Sequence, residues 1–458
     1  MYFQQFYLGC LAQASYMIGD AGEAAVVDPR RDVDVYIEEA AARGLAIRHV
    51  IETHVHADFV SGHRELAERV GATIWVSPRA KAGYPHRSAE EGVEIPVGRA
   101  RLRVLATPGH TLDSISLLLF ESADAPAPAA VLTGDTLFIG DVGRPDLAAS
   151  VRSPRDQAGM LYDSLHEKLL TLPDEVAVYP GHGAGSMCGR NLSKETSSTI
   201  GEQRRMNYAL QPMAREAFID MMTTDLPEIP GYFGRDVRIN REGPPVLAER
   251  KPAGPLPVEE VARLAAAGAI VLDTRSPAAF GNAHVPGAMN IGLDGQFASW
   301  AGTVVPGDAP IVLVVDGENE VAEAQTRLAR VGIENVRGYL DGGIVAWEKA
   351  GRPLARTEQI SVAELAERLR EGACRVVDVR RPAEWSAGHI GEATASPLAA
   401  LAGMPPPGSP EEPLAVICAG GYRSSIASSL LERQGFSRIS NVVGGMAAWS
   451  ASGLPVVA

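Results

Sequence analysis

One signature occurs twice in this chain at a fixed distance. Val271-Leu-Asp273-Thr-Arg275-Ser-Pro277-Ala is answered by Val376-Val-Asp378-Val-Arg380-Arg-Pro382-Ala. Asp273 and Asp378 lie 105 residues apart, as do His284 and His389. Gly342-Gly343-Ile-Val-Ala-Trp347 returns as Gly444-Gly445-Met-Ala-Ala-Trp449 after 102 residues. A chain that repeats itself at such a period builds one supersecondary unit twice. Each copy opens on a helical pattern (VEEVARLAAAGA, VAELAERLREGA), continues into a strand and later supplies another apolar strand (IVLVV, LAVIC). Strands alternating with helices imply a parallel sheet covered on both faces. Two small α/β domains are therefore expected, at 252–355 and 358–458.

The first part of the chain, 1–245, belongs to neither copy. At about 150 residues per domain, a chain of this length holds about three domains. Arg241 to Pro257 (REGPPVLAERKPAGPLP), rich in proline and charge, reads as the linker before the repeats. The formal charge of −14 argues against nucleic acid or an acidic membrane as partner. No apolar run approaches the roughly 18 residues of a membrane span. MYFQQFYLGC reads as a first strand rather than a signal peptide. Cys10, Cys188, Cys374 and Cys418 are too few and scattered for a disulfide framework, which favours a reducing cytoplasm.

The chemistry of this first part starts at Thr53-His54-Val55-His56-Ala57-Asp58-Phe59-Val60-Ser61-Gly62-His63. An alternating β-branched run precedes it, and GHRELAERVG after it reads as an amphipathic helix stopped by Gly71. Two imidazoles and a carboxylate at i, i+2 and i+4 on a strand-to-helix loop suit a transition metal. Alone the motif is weak, since surface histidines are common. Three more apolar segments end in polar donors: VLATPGH at 104–110, VLTGD at 131–135 and VAVYPGH at 176–182. Together with VIETHVH at 50–56 they deliver His54, His56, His110, Asp135 and His182 to what reads as one sheet edge. Histidines scattered over a surface would not all fall at strand ends.

From Tyr7 to about Ile239 the chain resembles the metallo-β-lactamase fold, an αββα sandwich with metals at one end of its sheets. The resemblance rests on the HxHxD loop, and on His110, Asp135 and His182 each following a glycine. Hydrolases of that superfamily read HxHxDH and hold two zinc ions. Here Phe59 stands where the last histidine would be, and a benzyl group cannot coordinate a metal. The resemblance to the persulfide dioxygenase branch implies one Fe(II) per chain held by His54, His110 and Asp135, a facial triad with positions open to substrate and O2. His56, Asp58 and His182 would then orient ligands or substrate, or serve a second metal with His63 substituting. The zinc alternative is a thioesterase of the glyoxalase II type. In persulfide dioxygenases an arginine on the loop after the metal-binding aspartate holds the substrate carboxylate, which maps to Arg144 in Phe138-Ile-Gly-Asp141-Val-Gly143-Arg144-Pro-Asp146. A structural pairing of Arg144 with Asp146 is the alternative. Cys188, six residues past His182 in a small-residue loop, is expected to approach the metal and handle sulfur, or to be an inert buried thiol.

Both repeats resemble rhodanese domains, whose nucleophile is a cysteine between a strand and a helix. In the second copy Leu414-Ala-Val-Ile417 leads into Cys418, the loop Ala419, Gly420, Gly421, Tyr422, Arg423, and Ser424. Backbone N–H groups at the helix N-terminus favour a thiolate and would cradle a persulfide. Arg423, five past the cysteine, would attract an anionic donor such as thiosulfate or sulfite. Phosphatases of similar shape use a loop one residue longer, so this spacing favours sulfur. The first copy departs from the pattern. Asp316 occupies the cysteine position, Val321 the arginine position, and Glu318 and Glu320 would repel anions, so that copy is expected to be a spacer or docking surface.

The order of the three domains resembles persulfide dioxygenase–sulfurtransferase fusions, which implies oxidation of a glutathione-like persulfide by O2 to sulfite. Cys418 would pass sulfane sulfur between sulfite and thiosulfate, in sulfide detoxification by a cytoplasmic homo-oligomer. A non-catalytic scaffold with relic sites is the reading from a different class. The intact ligands and the intact Cys418 loop speak against it.

Overall fold

The computed structural model describes residues 1–147, 152–190 and 192–457. The chain divides into two compact units, residues 1–250 with 329–332, and residues 251–328 with 333–458. Among the described residues no helix is long and apolar enough to cross a membrane.

The first unit is built on two six-stranded sheets. One runs in the spatial order Tyr2–Leu8, Gln13–Asp20, Glu23–Val27, Ala46–Ile51, Thr73–Val76, Arg87–Ser88. The other runs Ser198–Thr199, Ala177–Pro180, Ala130–Gly134, Ile115–Phe120, Ala100–Ala106, Glu94–Val97. The two-residue period of the strands sorts their side chains between layers. Tyr16 and Ile18 join Leu102, Val104, Ile115, Leu117 and Leu119 in the core between the sheets. Met17 faces the other way, into a core with Tyr36 and Leu66 from the helices Asp34–Ala42 and His63–Val70. Leu118 and Phe120 likewise turn outward to Leu161, Leu165 and Phe218 on the helices Pro154–Glu167 and Arg215–Thr223. The result is the αββα sandwich.

The four donor-bearing segments do not share one sheet edge, as the sequence pattern suggests. Ala46–Ile51 pairs in parallel with Glu23–Val27 and Thr73–Val76, in the first sheet, whereas the other three strands belong to the second. Period-2 patterning shows that a segment is a strand and says nothing of its partner. The two sheets are stitched where it matters, by Ile115 N–H donating to Thr53 O at 2.8 Å.

The second unit holds two five-stranded parallel sheets of identical topology. The first is ordered Pro255–Leu256, Val336–Leu340, Ile311–Val314, Ile270–Asp273, Met289–Asn290, the second Glu358–Ile360, Ile439–Val442, Leu414–Ile417, Arg375–Asp378, Ala393–Ala395. The expected linker is shorter than its composition implies, because Pro255–Leu256 pairs with Tyr339 and Leu340 as an edge strand. Proline is tolerated there since an edge strand needs no N–H on its outer side. The repeated signature is a packing device. Arg275 and Arg380 each fold back onto the aspartate two residues earlier, Nη2 to Oδ2 at 2.6 Å in both copies, with both aspartates buried. His284 stacks on Phe280 and His389 on Trp385, ring centroids 3.7 and 3.6 Å apart. Trp347 and Trp449 close each domain by donating Nε1–H to Pro353 O and Pro455 O.

Candidate active sites

The metal loop begins where the strand Ala46–Ile51 ends, and it is held rigid from three directions. Asp28, itself at positive φ, accepts from Thr53 N at 2.7 Å and from Thr53 Oγ1 at 2.8 Å. Asp113 Oδ2 accepts from Val55 N. Asn240, in the helix Phe233–Glu242, donates to His56 O and Phe59 O and accepts from Ser61 N, all within 2.8 Å. The glycines preceding the ligands make the close approach possible. A Cβ on Gly134 would lie 2.6 Å from Thr53 Oγ1, and one on Gly181 would lie 2.5 Å from Asp135 Oδ1.

His54, His110 and Asp135 come together, their ligand atoms mutually within 4.8 Å and all three residues buried. Asp135 Oδ2 lies 3.8 Å from His54 Nε2, 3.5 Å from His110 Nε2 and 3.6 Å from His182 Nε2. These separations exceed hydrogen bonds and match donors grouped about a shared cation. Both oxygens of Asp135, Asp58 Oδ1 and His182 Nε2 are buried without a hydrogen-bond partner, a costly state that a metal ion relieves. The imidazoles are set for ligation. His110 Nδ1–H points to Arg144 O at 3.0 Å and His182 Nδ1–H to Ala12 O at 3.2 Å, which leaves each Nε2 lone pair facing the site. Burial, reinforced by His56, His110 and His182, pushes the His54 pKa well below its ordinary value, and burial lowers that of His110. Both are thereby kept neutral, the form that binds metal. The residues fit one metal ion.

His56, Asp58 and His182 form a second donor group beside the first. His56 turns Nε2 toward Asp28 Oδ1 at 3.1 Å and Glu52 Oε2 at 3.3 Å. Burial opposes its charge, yet those two carboxylates prevail and raise its pKa well above the ordinary value. Phe59 is buried and packs against His56 with ring centroids 4.4 Å apart. His63 faces Glu52 Oε1 at 3.5 Å and stacks on Tyr84, and it joins none of the donor groups found among the described residues.

Arg144 is buried and committed. Nε and Nη2 clasp Asp146 at 3.0 and 2.7 Å, Nη2 also donates to Pro227 O, and Nη1 donates to Met187 O. Its N–H donates to Cys188 O while its own carbonyl fixes His110. The guanidinium thus makes the structural pairing with Asp146, and the residue ties the Cys188 loop to a metal ligand. Cys188 Sγ stands within 4.8 Å of ligand atoms of Asp135 and His182, and burial pushes its thiol pKa well up.

The Cys418 loop follows the strand Leu414–Ile417 and opens the helix Tyr422–Arg433. Gly421, at φ +103, aims its N–H at Cys418 Sγ at 3.1 Å, and Ser424 Oγ lies 3.4 Å away. The carbonyls of Cys418 and Ala419 accept from Met446 N and Ala447 N, and a Cβ on Gly445 would collide with them, so the second Gly-Gly motif is a seat for this loop. Arg423 is engaged by a carboxylate. It pairs bidentately with Glu384 at 2.6 and 2.7 Å, holding the Glu384 carboxyl below its usual range. In the first copy Asp316 is exposed, with Glu320 bonded to its N–H at 3.2 Å.

Asp28, Glu52, Asp113, Asn240 and Glu384 were not legible as site residues. Only Asp28 carries a signal, a carboxylate closing an apolar strand.

A model of the metallo-beta-lactamase superfamily matches residues 8–182, and a rhodanese-like domain model matches residues 257–350 and 361–452. The chain is 30% identical over 215 residues to persulfide dioxygenase ETHE1, mitochondrial, of Bos taurus, covering 45% of this chain and 75% of the relative. It is 30% identical over 226 residues to a hydroxyacylglutathione hydrolase of Rhodospirillum rubrum, covering 48% and 77%. The crystal structure of a metallo-beta-lactamase from Staphylococcus aureus subsp. aureus COL superposes with a TM-score of 0.66 at 34% identity, over 74% of this chain and 98% of that one. The chain belongs to the metallo-beta-lactamase superfamily, with an ETHE1-like metallo-beta-lactamase domain followed by two rhodanese-like domains.

Proposed function

We propose that this chain oxidises a low-molecular-weight thiol persulfide, glutathione-like in kind, to sulfite and exchanges sulfane sulfur between sulfite and thiosulfate at Cys418. The observation that carries the first half is the buried group of His54, His110 and Asp135 with Phe59 in place of a further ligand. In balanced form one persulfide, one O2 and one water give one thiol and one sulfurous acid, which ionises. A bound Fe(II) would supply the coordination sites and the electrons that O2 activation requires. The protein's part is positional. His110 and His182 are locked in one tautomer by backbone carbonyls, Arg144 anchors the loop of Cys188, and Phe59 keeps water and a second metal from the His56 side. His182 and Asp58, 3.4 Å apart, are placed to hold the proton that leaves the persulfide. Cys188 stands where the thiol of a substrate or its sulfur would arrive.

At the second site the Cys418 thiolate attacks the outer sulfur of thiosulfate. A sulfur–sulfur bond forms to Cys418 as the one to the sulfonate sulfur breaks, and sulfite departs with the electron pair. The reverse step rebuilds thiosulfate from sulfite. Gly421 N–H stabilises the sulfur that bears charge, and Arg423 offers a cation to the anion once Glu384 yields. The setting we infer is sulfide detoxification in the cytoplasm.

A zinc thioesterase is the second reading, favoured by the intact His56, Asp58, His182 group and by the hydroxyacylglutathione hydrolase relative. Metal analysis with oxygen uptake separates the two. About one iron per chain and O2 consumption with glutathione persulfide support the dioxygenase. Two zincs per chain with hydrolysis of S-lactoylglutathione and no O2 uptake overturn it.

A further inference from the structure

The helix that begins at the Cys418 loop is fastened along its length to the copy that lacks a cysteine. Tyr422 Oη donates to Gly292 O at 2.7 Å. Ser425 Oγ donates to Asn290 Oδ1 at 2.6 Å, and Ser429 Oγ accepts from Asn290 N at 3.0 Å. Glu432 accepts from His284 Nε2 at 2.9 Å and from Gly287 N at 3.1 Å, and Arg433 donates to Gly287 O. Positions 422, 425, 429 and 432 form one face of an α-helix. Ser425 and Ser429 are buried, and a hydroxyl removed from water demands a partner. Each partner is fixed in turn. Asn290 Nδ2 donates to Asp273 O and Arg275 O, the turn closed by the Asp273–Arg275 clasp. His284 is stacked on Phe280 and bonded through Nδ1 to Phe280 O. Its counterpart His389 has the same stack and the same carbonyl, and no bond from Nε2 among the described residues. The two copies are thus alike inside, and the first has acquired an outward function.

We propose that Asn290 and His284 are positioning residues for sulfur transfer at Cys418. The domain that carries Asp316 acts as a bracket for the helix Tyr422–Arg433. It keeps Gly421 N–H and Ser424 Oγ aimed at the cysteine sulfur while that sulfur gains and loses a persulfide. The role rests on the reading of Cys418 as the sulfur carrier.

The test uses the full chain and reads thiosulfate sulfurtransferase kcat and KM, together with the rate of Cys418 alkylation by iodoacetamide. Asn290→Ala and His284→Ala are expected to lower kcat roughly 10-fold each, with KM moving less, as a misplaced reacting atom costs rate rather than binding. Cys418 alkylation changes in step, while metal content and the thermal transition of the first unit stay as in the parent. His284→Gln, whose amide can still donate to Glu432, recovers most of the loss. Alanine variants whose kcat and alkylation rate stay within about 2-fold of the parent overturn the bracket. Should an alanine variant fail to fold, Ser425→Ala removes a single hydroxyl from the other side and is judged by the same criterion. A parent that shows no sulfur transfer refutes the carrier reading instead, and the alkylation rates still decide whether the bracket orders the loop.

Discussion

The two rhodanese-like domains share a sheet order, a buried aspartate–arginine clasp, a stacked histidine and a tryptophan closure, yet only the second carries a cysteine at the head of its loop. Around the Cys418 loop the two copies differ, among others, at three aligned positions. Cys418 aligns with Asp316, Arg423 with Val321, and Glu384, which holds Arg423, with Ala279. The repeated aspartate, arginine, histidine and tryptophan pack each domain, and these three differing positions are those we propose take part in sulfur transfer. Fold and chemistry are thus separable here to within one loop and one partner side chain.

The largest effect expected from that comparison is on Cys418. Cys418→Ser lowers thiosulfate-dependent sulfur transfer by about 1,000-fold or more, as loss of a nucleophile does. Adding Asp316→Cys does not restore it, since Glu318 and Glu320 flank that position and no arginine faces it; recovery to even a tenth of parental rate would show the first copy to be merely one substitution from active. Next comes stability. Asp273→Ala and Asp378→Ala each deprive a largely buried guanidinium of its carboxylate, leaving it one backbone carbonyl, and are expected to cost about 3 kcal/mol in chemical denaturation. Unequal losses would show that the clasp matters in only one copy. A smaller effect falls on Glu384→Gln. Releasing Arg423 from a partly exposed ion pair is worth about 1 kcal/mol or less, so KM for thiosulfate falls roughly 2- to 5-fold while the protein stays as stable. An unchanged or raised KM would make Glu384 a structural partner alone.

The smallest concerns pH. Arg368 and Ser440 hold Glu358, in the Cys418 domain, down to about 2 from the usual 4.5. A depressed carboxyl contributes stability that is complete above the unfolded value and is lost as pH falls through the folded one. Glu358 is half exposed, so solvent screens the pair and the contribution is at most about 1 kcal/mol. Glu358→Gln therefore destabilises slightly at pH 7 and not at all near pH 2, as measured by urea titration at both values.

How much of this could be read beforehand follows from distance along the chain. The repeats, the parallel sheets, the donors that gather as His54, His110 and Asp135 and the strand–loop–helix around Cys418 were legible because each is a local pattern: a period, a strand end, a glycine before a donor. The residues that position them were not. Asn240 and the loop it holds are more than 180 residues apart, and no local pattern marks an asparagine in a helix as the anchor of a distant turn. Arg144 was legible as a residue and ambiguous as a role, because a guanidinium suits a substrate carboxylate and Asp146 equally well. Sheet membership of Ala46–Ile51 was hidden for the same reason: a strand's pattern records its burial and leaves its neighbours open.

The bonds from Asn240 to His56, Phe59 and Ser61 have a consequence for the order in which the protein is made. The donors His54, His110, Asp135 and His182 have all been synthesised by residue 182, as have Asp28 and Asp113, which hold Thr53 and Val55, but the stretch from His56 to Ser61 lacks its Asn240 bonds until the helix Phe233–Glu242 has emerged. A nascent chain between those points carries every donor and two of the loop's three anchors, and lacks the third. Complete fastening of this loop is therefore a late event of its own domain, and a fragment cut after His182 would contain every donor of the cluster while leaving His56 O, Phe59 O and Ser61 N without their Asn240 partner.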